Sequence, residues 1–131
     1  MFAINPADPE PIWRQIEDGV RRLVALGALI PGASVPSVRD LARDLRVNPN
    51  TVARAYQRLT EHGVLTVRRG EGTYVADDPT RPRKAEKHGM LRDAAMRYAR
   101  AAIAAGAEVG EACDELQSAF DRLVREHRRP A

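Results

Sequence analysis

The segment Val35–Leu59, VPSVRDLARDLRVNPNTVARAYQRL, constrains the fold more than any other part of the chain. Its apolar residues recur at helical spacing in two short runs, and a polar turn separates the runs. The first helix is predicted from about Ser37 to Leu45, with Ser37 as its N-cap. The second is capped by Asn48 and has a proline at its first helical position, where no backbone N–H is needed. Two short helices joined this tightly predict a helix-turn-helix whose second helix exposes amide and hydroxyl groups at its start.

The residues on either side of this segment complete a larger pattern. A helix is predicted from about Pro11 to Leu26, because proline suits its first turn and Gly27 its end. Downstream, the β-prone runs 64–67 and 73–76 flank RRGEG, whose two glycines indicate a hairpin. The predicted fold class is therefore mainly α with a small β-hairpin, a winged helix-turn-helix followed by a two-helix C-terminal dimerisation segment.

Composition divides the chain into four regions. Residues 1–10 carry prolines and are predicted to form an N-terminal arm, and residues 11–78 hold the winged helix-turn-helix. Residues 79–87 are charged, contain proline and lack apolar periodicity, so they are predicted to form a linker. Residues 88–131 contain two amphipathic helices and finish in the basic stretch REHRRPA, which is expected to fray.

The two C-terminal helices each carry an apolar stripe that two helices alone cannot cover. We expect a second copy of the chain to supply the matching pair, which gives a homodimer. The alternative is a tail that folds back onto the winged helix of its own chain. The residues predicted to form the dimer interface are Leu91, Tyr98, Ile103, Val109, Leu116, Phe120 and Leu123.

Composition and motif spacing argue against several function classes. No apolar run approaches the roughly 20 residues of a membrane span, and the first residues lack a secretory pattern, so no membrane contact and a cytoplasmic location are expected. The single cysteine, Cys113, permits no intrachain disulfide and occupies an apolar helical position, where burial is expected. His62, His88 and His127 are far apart, and no nucleophile–base or paired-carboxylate pattern occurs, so neither a metal site nor an enzyme is predicted.

The C-terminal segment also limits how a ligand can bind. Residues 88–131 are too few to enclose a typical pocket of roughly 300–1,000 Å³. No cofactor is therefore predicted, and a small-molecule effector is expected only at a dimer or interdomain crevice.

Positive charge concentrates where the helix pair and the hairpin lie. The chain has 21 Lys+Arg, 18 Asp+Glu and a net charge of +3, and residues 37–72 alone hold seven arginines and four acidic residues. Arginine suits forked contacts with phosphate and guanine, and a helix start in a major groove needs exposed hydrogen-bonding groups. The candidate contacts to double-stranded DNA are Ser37, Arg39, Asn48, Asn50, Thr51, Arg54, Arg58, Arg68, Arg69, Gly70 and Gly72.

The residues alone leave a second function class open, a winged helix that binds another protein without specific DNA binding. Ser37 and Asn48 would cap helices in almost any protein, and the acidic Glu71 lies at the tip of the predicted hairpin. Salt-dependent binding to a palindromic duplex separates the two classes.

The stretch Pro11–Val75 contains PIWRQI, VPSVRDLA, NPNTVARAY and RRGEGTYV in this order. Over roughly half of the chain it resembles the DNA-binding domain of GntR-family bacterial transcription regulators. NPNTVARAY and the short two-helix tail are similar to the YtrA subfamily in particular. The resemblance implies a dimeric, repressor-like regulator on a palindromic operator.

The resemblance also implies contact positions. Carried over residue by residue, they are Arg39, Asn48, Asn50, Thr51, Arg69, Gly70 and Gly72. The sequence departs from many relatives at Pro49 and Ala53, where basic residues often stand. Base reading is therefore expected to rest more heavily on Arg39 and Arg54.

Overall fold

The computed structural model describes residues 2–79 and 84–128, and they form five helices and one antiparallel hairpin. The elements are α1 (Ile12–Ala25), α2 (Val38–Leu45), α3 (Pro49–Glu61), β1 (Leu65–Arg68), β2 (Gly72–Val75), α4 (Lys84–Ala104) and α5 (Val109–Arg128). The predicted winged helix-turn-helix and the two helices that follow it are both confirmed. Each predicted strand is displaced by one residue in the structure.

The chain divides into two compact units, Met1–Thr80 and Arg81–Ala131, here called the N-terminal and C-terminal units. The predicted linker 79–87 extends too far, because α4 already begins at Lys84. The sequence KAEK that opens α4 is charged like a linker, but alanine, lysine and glutamate all favour helix. Residues 80–83 of the predicted linker lie outside the described residues, as do Met1 and the last three residues of the basic end.

Local hydrogen bonds define the helix-turn-helix. The Asp40 backbone N–H donates to Ser37 Oγ at 3.1 Å, and the Asn50 backbone N–H donates to Asn48 Oδ1 at 2.8 Å, so both predicted N-caps are confirmed. Between the helices, Arg46 adopts a left-handed conformation with φ of 58°. The next residue then turns back, and the Val47 N–H donates to the carbonyl oxygen of α2 residue 42 at 3.0 Å. This closes α2 and starts the turn.

One hydrophobic core holds the N-terminal unit together, and every element of the unit contributes to it. The largest fully buried side chains are Ile16, Val20, Leu41, Val52, Leu59, Leu65 and Val75. Because α3 packs against α1, α2 and β1, the core fixes the start of α3 relative to the hairpin.

The hairpin, here called the wing, is tied to the segment that precedes α2. Leu65 pairs with Val75 in an antiparallel register, and the Val75 N–H also donates to the Ala33 carbonyl at 2.8 Å. Gly70 and Gly72 at the tip have φ of 78° and 128°, conformations that side chains rarely adopt. The wing is therefore fixed at its base and shaped at its tip by glycine.

The N-terminal arm lies against α1. The Gln15 side chain accepts from the Asn5 N–H at 2.8 Å and donates to the carbonyls of Asn5 and Glu10 at 2.9 and 3.0 Å. A Cβ atom at Gly19 would lie 2.8 Å from the Phe2 ring, so glycine makes room for the arm there. The arm is thus part of the N-terminal unit.

Tyr56 of α3 links the helix-turn-helix to the segment before α2. Its side chain is buried, and its Oη donates to the Pro36 carbonyl at 2.8 Å. We expect Tyr56→Phe to lower the free energy of unfolding by about 1 kcal/mol, the usual net value of one hydrogen bond. Urea denaturation of both proteins measures this difference, and an unchanged midpoint would contradict it.

The same side chain predicts a dependence on alkaline pH. Burial raises the pKa of the Tyr56 phenol. Above a pH of about 10 the unfolded chain loses this proton while the folded chain keeps it, so the free energy of unfolding should fall as pH rises. Tyr56→Phe should remove the decrease in the free energy of unfolding that Tyr56 causes above this pH. The control Tyr74→Phe, in the wing, should leave that decrease in place.

In the C-terminal unit, α4 and α5 are joined by a short turn at Gly106, which has φ of 82°. The Tyr98 Oη donates to the Ala112 carbonyl at 2.6 Å and connects the two helices. Cys113 is exposed in the single chain, so the expectation of burial is wrong. The reason is that two helices alone leave much of their surface open. Across the described ranges, no helix is long and apolar enough to cross a membrane.

The residues predicted for the dimer interface all lie on this open surface. Their exposed fractions run from 38% at Tyr98 to 81% at Val109, and the others are Leu91, Ile103, Leu116, Phe120 and Leu123. Apolar side chains of this size are usually buried, so the exposure of several of them on α4 and α5 indicates an interaction site.

Candidate nucleic-acid interface

The start of α3 combines free hydrogen-bonding groups with a positive helix end. The Asn48 side-chain oxygen, Oδ1, accepts the capping hydrogen bond, which leaves the side-chain N–H₂ group for a ligand. Asn50 is exposed and Thr51 half-buried. The first turn of α3 contains no acidic residue, so nothing there offsets the positive end of the helix dipole. This end can therefore accept a phosphate or a base edge.

The start of α2 presents a second pair of groups. The Ser37 oxygen accepts the capping hydrogen bond, and its hydroxyl proton stays free to donate. Arg39 is exposed in the first turn of α2. A cation at a helix N-terminus opposes the dipole and costs stability, so helix stability does not explain an arginine at this position.

Two arginines of α3 pack over one ring of α1. The guanidinium carbons of Arg54 and Arg58 lie 4.4 and 4.8 Å from the centroid of Trp13, and that of Arg14 lies at 5.8 Å. The Arg58 Nε also donates to the buried Glu17 Oε2 at 2.9 Å. Arg58 is thus held against α1, whereas Arg54 is exposed. Trp13, Glu17, Arg54 and Arg58 are here called the Trp13 cluster.

Glu17 of the Trp13 cluster also lies close to two other basic side chains, Arg21 and His62. Arg21 Nη2 lies 3.6 Å and His62 Nδ1 3.8 Å from Glu17 Oε1. Arg21 Nη2 and His62 Nδ1 are themselves 3.1 Å apart, within hydrogen-bond distance. Sequence reasoning missed Trp13 and Glu17 as supports of α3. The available signal was that Trp13 stands off the apolar stripe of α1.

The two arginines of the wing have different surroundings. Both residues are exposed, but the Arg68 guanidinium lies 4.2 Å from the centroid of the Tyr74 ring, whereas Arg69 stacks on no ring in the described residues. The Glu71 N–H donates to the Arg68 carbonyl at 2.9 Å and closes the turn. Arg69, flanked by a glycine without a side chain, is therefore the wing arginine best placed to reach a ligand.

Comparison with known proteins identifies the family. Residues 13–75 match the model of the bacterial regulatory proteins of the gntR family. The structure of YtrA from Sulfolobus acidocaldarius, a GntR-family transcription factor, is 31% identical, covers 92% of this chain and 97% of its own, and has a TM-score of 0.54. The chain belongs to the GntR family. It is accordingly a DNA-binding transcriptional regulator and not an enzyme.

Two further relatives of this GntR regulator are similar in sequence or structure. The HTH-type transcriptional repressor YtrA of Bacillus subtilis is 40% identical over 78 residues, which are 60% of each chain. A transcriptional antiterminator from Listeria monocytogenes is 28% identical, with a TM-score of 0.72 over 95% of this chain and 92% of its own. The match to the Bacillus protein therefore spans less than two thirds of the length of that protein.

The described residues of this GntR regulator contain no group of three His, Cys, Asp or Glu side chains that could hold a metal ion. Nine of the predicted DNA-contacting residues are exposed, and they are Ser37, Arg39, Asn48, Asn50, Arg54, Arg68, Arg69, Gly70 and Gly72, whereas Thr51 and Arg58 are half-buried. Arg54 and Arg58 stack on the Trp13 ring and Arg68 on the Tyr74 ring.

Proposed function

We propose that this GntR regulator is a homodimeric repressor that binds a palindromic operator. The observation that carries the proposal is the set of exposed, hydrogen-bonding side chains at the starts of α2 and α3, in a unit whose core fixes both helices. The Bacillus relative, which is 40% identical over 78 residues, is named a repressor.

We assign different roles to the predicted contacts. Arg39, Asn50 and Arg54 read bases, because their side chains are exposed and can form the forked contacts that distinguish base edges. Backbone contacts come from Ser37, Asn48, the half-buried Thr51, Arg69, Gly70 and Gly72. Arg58 supports α3, because it is half-buried and its Nε donates to Glu17 Oε2. Arg68 supports the wing, where it stacks on Tyr74 of the facing strand.

Dimerisation follows from the exposed apolar surface of α4 and α5. A two-fold dimer presents two equivalent recognition helices, and such a pair fits two inverted half-sites. This is the physical reason to propose a palindromic operator instead of a single site.

We place a small-molecule effector where two copies of the C-terminal unit meet. On α5, the residues Gln117, Phe120, Asp121, Val124 and Arg125 line a shallow depression that combines apolar and charged groups. Ligand sites commonly pair an apolar surface with a few such polar groups. A second copy would close this depression and could form a site that neither copy forms alone.

The test is selection of duplexes from a random-sequence library with the full-length protein. We expect enrichment of an inverted repeat, and binding to it that weakens steeply as salt is raised. Recovery of a single half-site would contradict the palindromic dimer. Failure to enrich any sequence would contradict specific DNA binding and would favour a winged helix that binds protein.

A further inference from the structure

Trp13, the single tryptophan of the chain, lies between the arginines of α3 and the body of α1. An indole ring attracts cations over its face, and it is the strongest aromatic side chain for this contact. Three guanidinium groups lie within 5.8 Å of its centroid. That arrangement brings like charges together, so the ring and its neighbours must offset their repulsion.

Arg58 and Arg54 differ in how this repulsion is offset. The Arg58 charge is matched by the Glu17 carboxylate at 2.9 Å. Within the described ranges, Arg54 forms no ion pair, and its guanidinium stacks on the Trp13 ring at 4.4 Å. The Arg54 charge is therefore oriented by the ring and is not neutralised by it.

We infer that Trp13 is a positioning residue for DNA recognition, which holds the Arg54 guanidinium in one pose at the surface of α3. An exposed arginine otherwise samples many rotamers, and ordering it at the moment of binding costs affinity. Stacking on a rigid ring orders the side chain in advance. The inference rests on the proposed function, because it assumes that Arg54 contacts DNA.

The test is a double-mutant cycle on the duplex recovered by selection. Trp13→Leu should weaken binding of the full-length protein about three- to tenfold, as expected for loss of a partly exposed cation–π contact. In the Arg54→Ala background, the same Trp13→Leu change should cost less than about twofold, because the residue it positions is gone. Trp13→Phe should restore part of the affinity, since phenylalanine keeps a weaker aromatic face.

The control uses the wing. In an Arg69→Ala background, Trp13→Leu should keep its full three- to tenfold effect, because the arginines that stack on the ring are Arg14, Arg54 and Arg58. Circular dichroism and thermal unfolding check that each variant is folded at the assay temperature. If Trp13→Leu costs as much in the Arg54→Ala background as in the wild type, the ring acts through general packing and the inference is wrong.

Failure of the proposed function would look different. In that case the wild-type protein would show no preference for the selected duplex over a scrambled one, before any variant is compared. A wild type that discriminates, with an additive Trp13–Arg54 cycle, overturns only the positioning role.

Discussion

Removal of residues 79–131 is expected to leave a folded monomer that binds the selected operator about 10²- to 10⁴-fold more weakly than the full chain. The N-terminal unit has its own core, drawn from three helices and the wing, so it should fold without the C-terminal unit. In the full-length dimer, the α3 helices of two copies are linked, so once one half-site is bound the second contact is intramolecular. The truncated protein loses this advantage. Light scattering measures the mass of the truncated protein, and duplex titration measures its affinity. A truncated protein that stays a tight dimer would contradict the assignment of the interface to α4 and α5.

A matched pair of substitutions separates loss of the interface from loss of the helices. Phe120→Asp places a charge in the exposed apolar surface of α5, where the residue is 63% exposed in the single chain. Ser118→Asp adds the same charge two positions earlier, on the opposite side of a helix with 3.6 residues per turn. We expect Phe120→Asp to reproduce the monomer and the weak binding of the truncated protein, and Ser118→Asp to remain a dimer.

The features that the sequence predicts correctly depend on residues close together in the chain. The caps at Ser37 and Asn48 involve a neighbour two or three residues away, and the glycines of the wing act on their own backbone. Pattern rules describe such local effects well, because the partners are visible in one short window.

The roles of individual arginines could not be predicted in the same way. Arg58 and Glu17 are 41 residues apart, and their pairing depends on how α1 crosses α3. A stretch of basic residues therefore predicts an interface, but it does not distinguish arginines that face DNA from those that stabilise the fold. The start of α4 is also misassigned from the sequence. KAEK is charged like a linker, but its residues favour helix, and α4 begins there.

Arg39→Ala is expected to weaken binding to the selected operator by about 1–3 kcal/mol and to change binding to a scrambled duplex much less. Arg39 is exposed in the first turn of α2, where its charge opposes the helix dipole. Its removal should therefore leave the fold intact or slightly more stable. A forked contact with guanine exists only on the correct sequence, and this is why the loss should fall on the operator.

Arg69→Ala is the contrasting variant, since its exposed guanidinium at the wing tip is expected to contact the sugar–phosphate backbone. Loss of one phosphate contact should weaken operator and scrambled duplex alike and reduce the slope of log K against log salt by about one. Salt titrations of both variants on both duplexes measure discrimination and slope together. If Arg39→Ala weakened the two duplexes equally and lowered the slope, Arg39 would be a phosphate contact, and base reading would rest on α3. If neither variant altered binding to either duplex, the DNA-contacting surface would lie elsewhere on the protein.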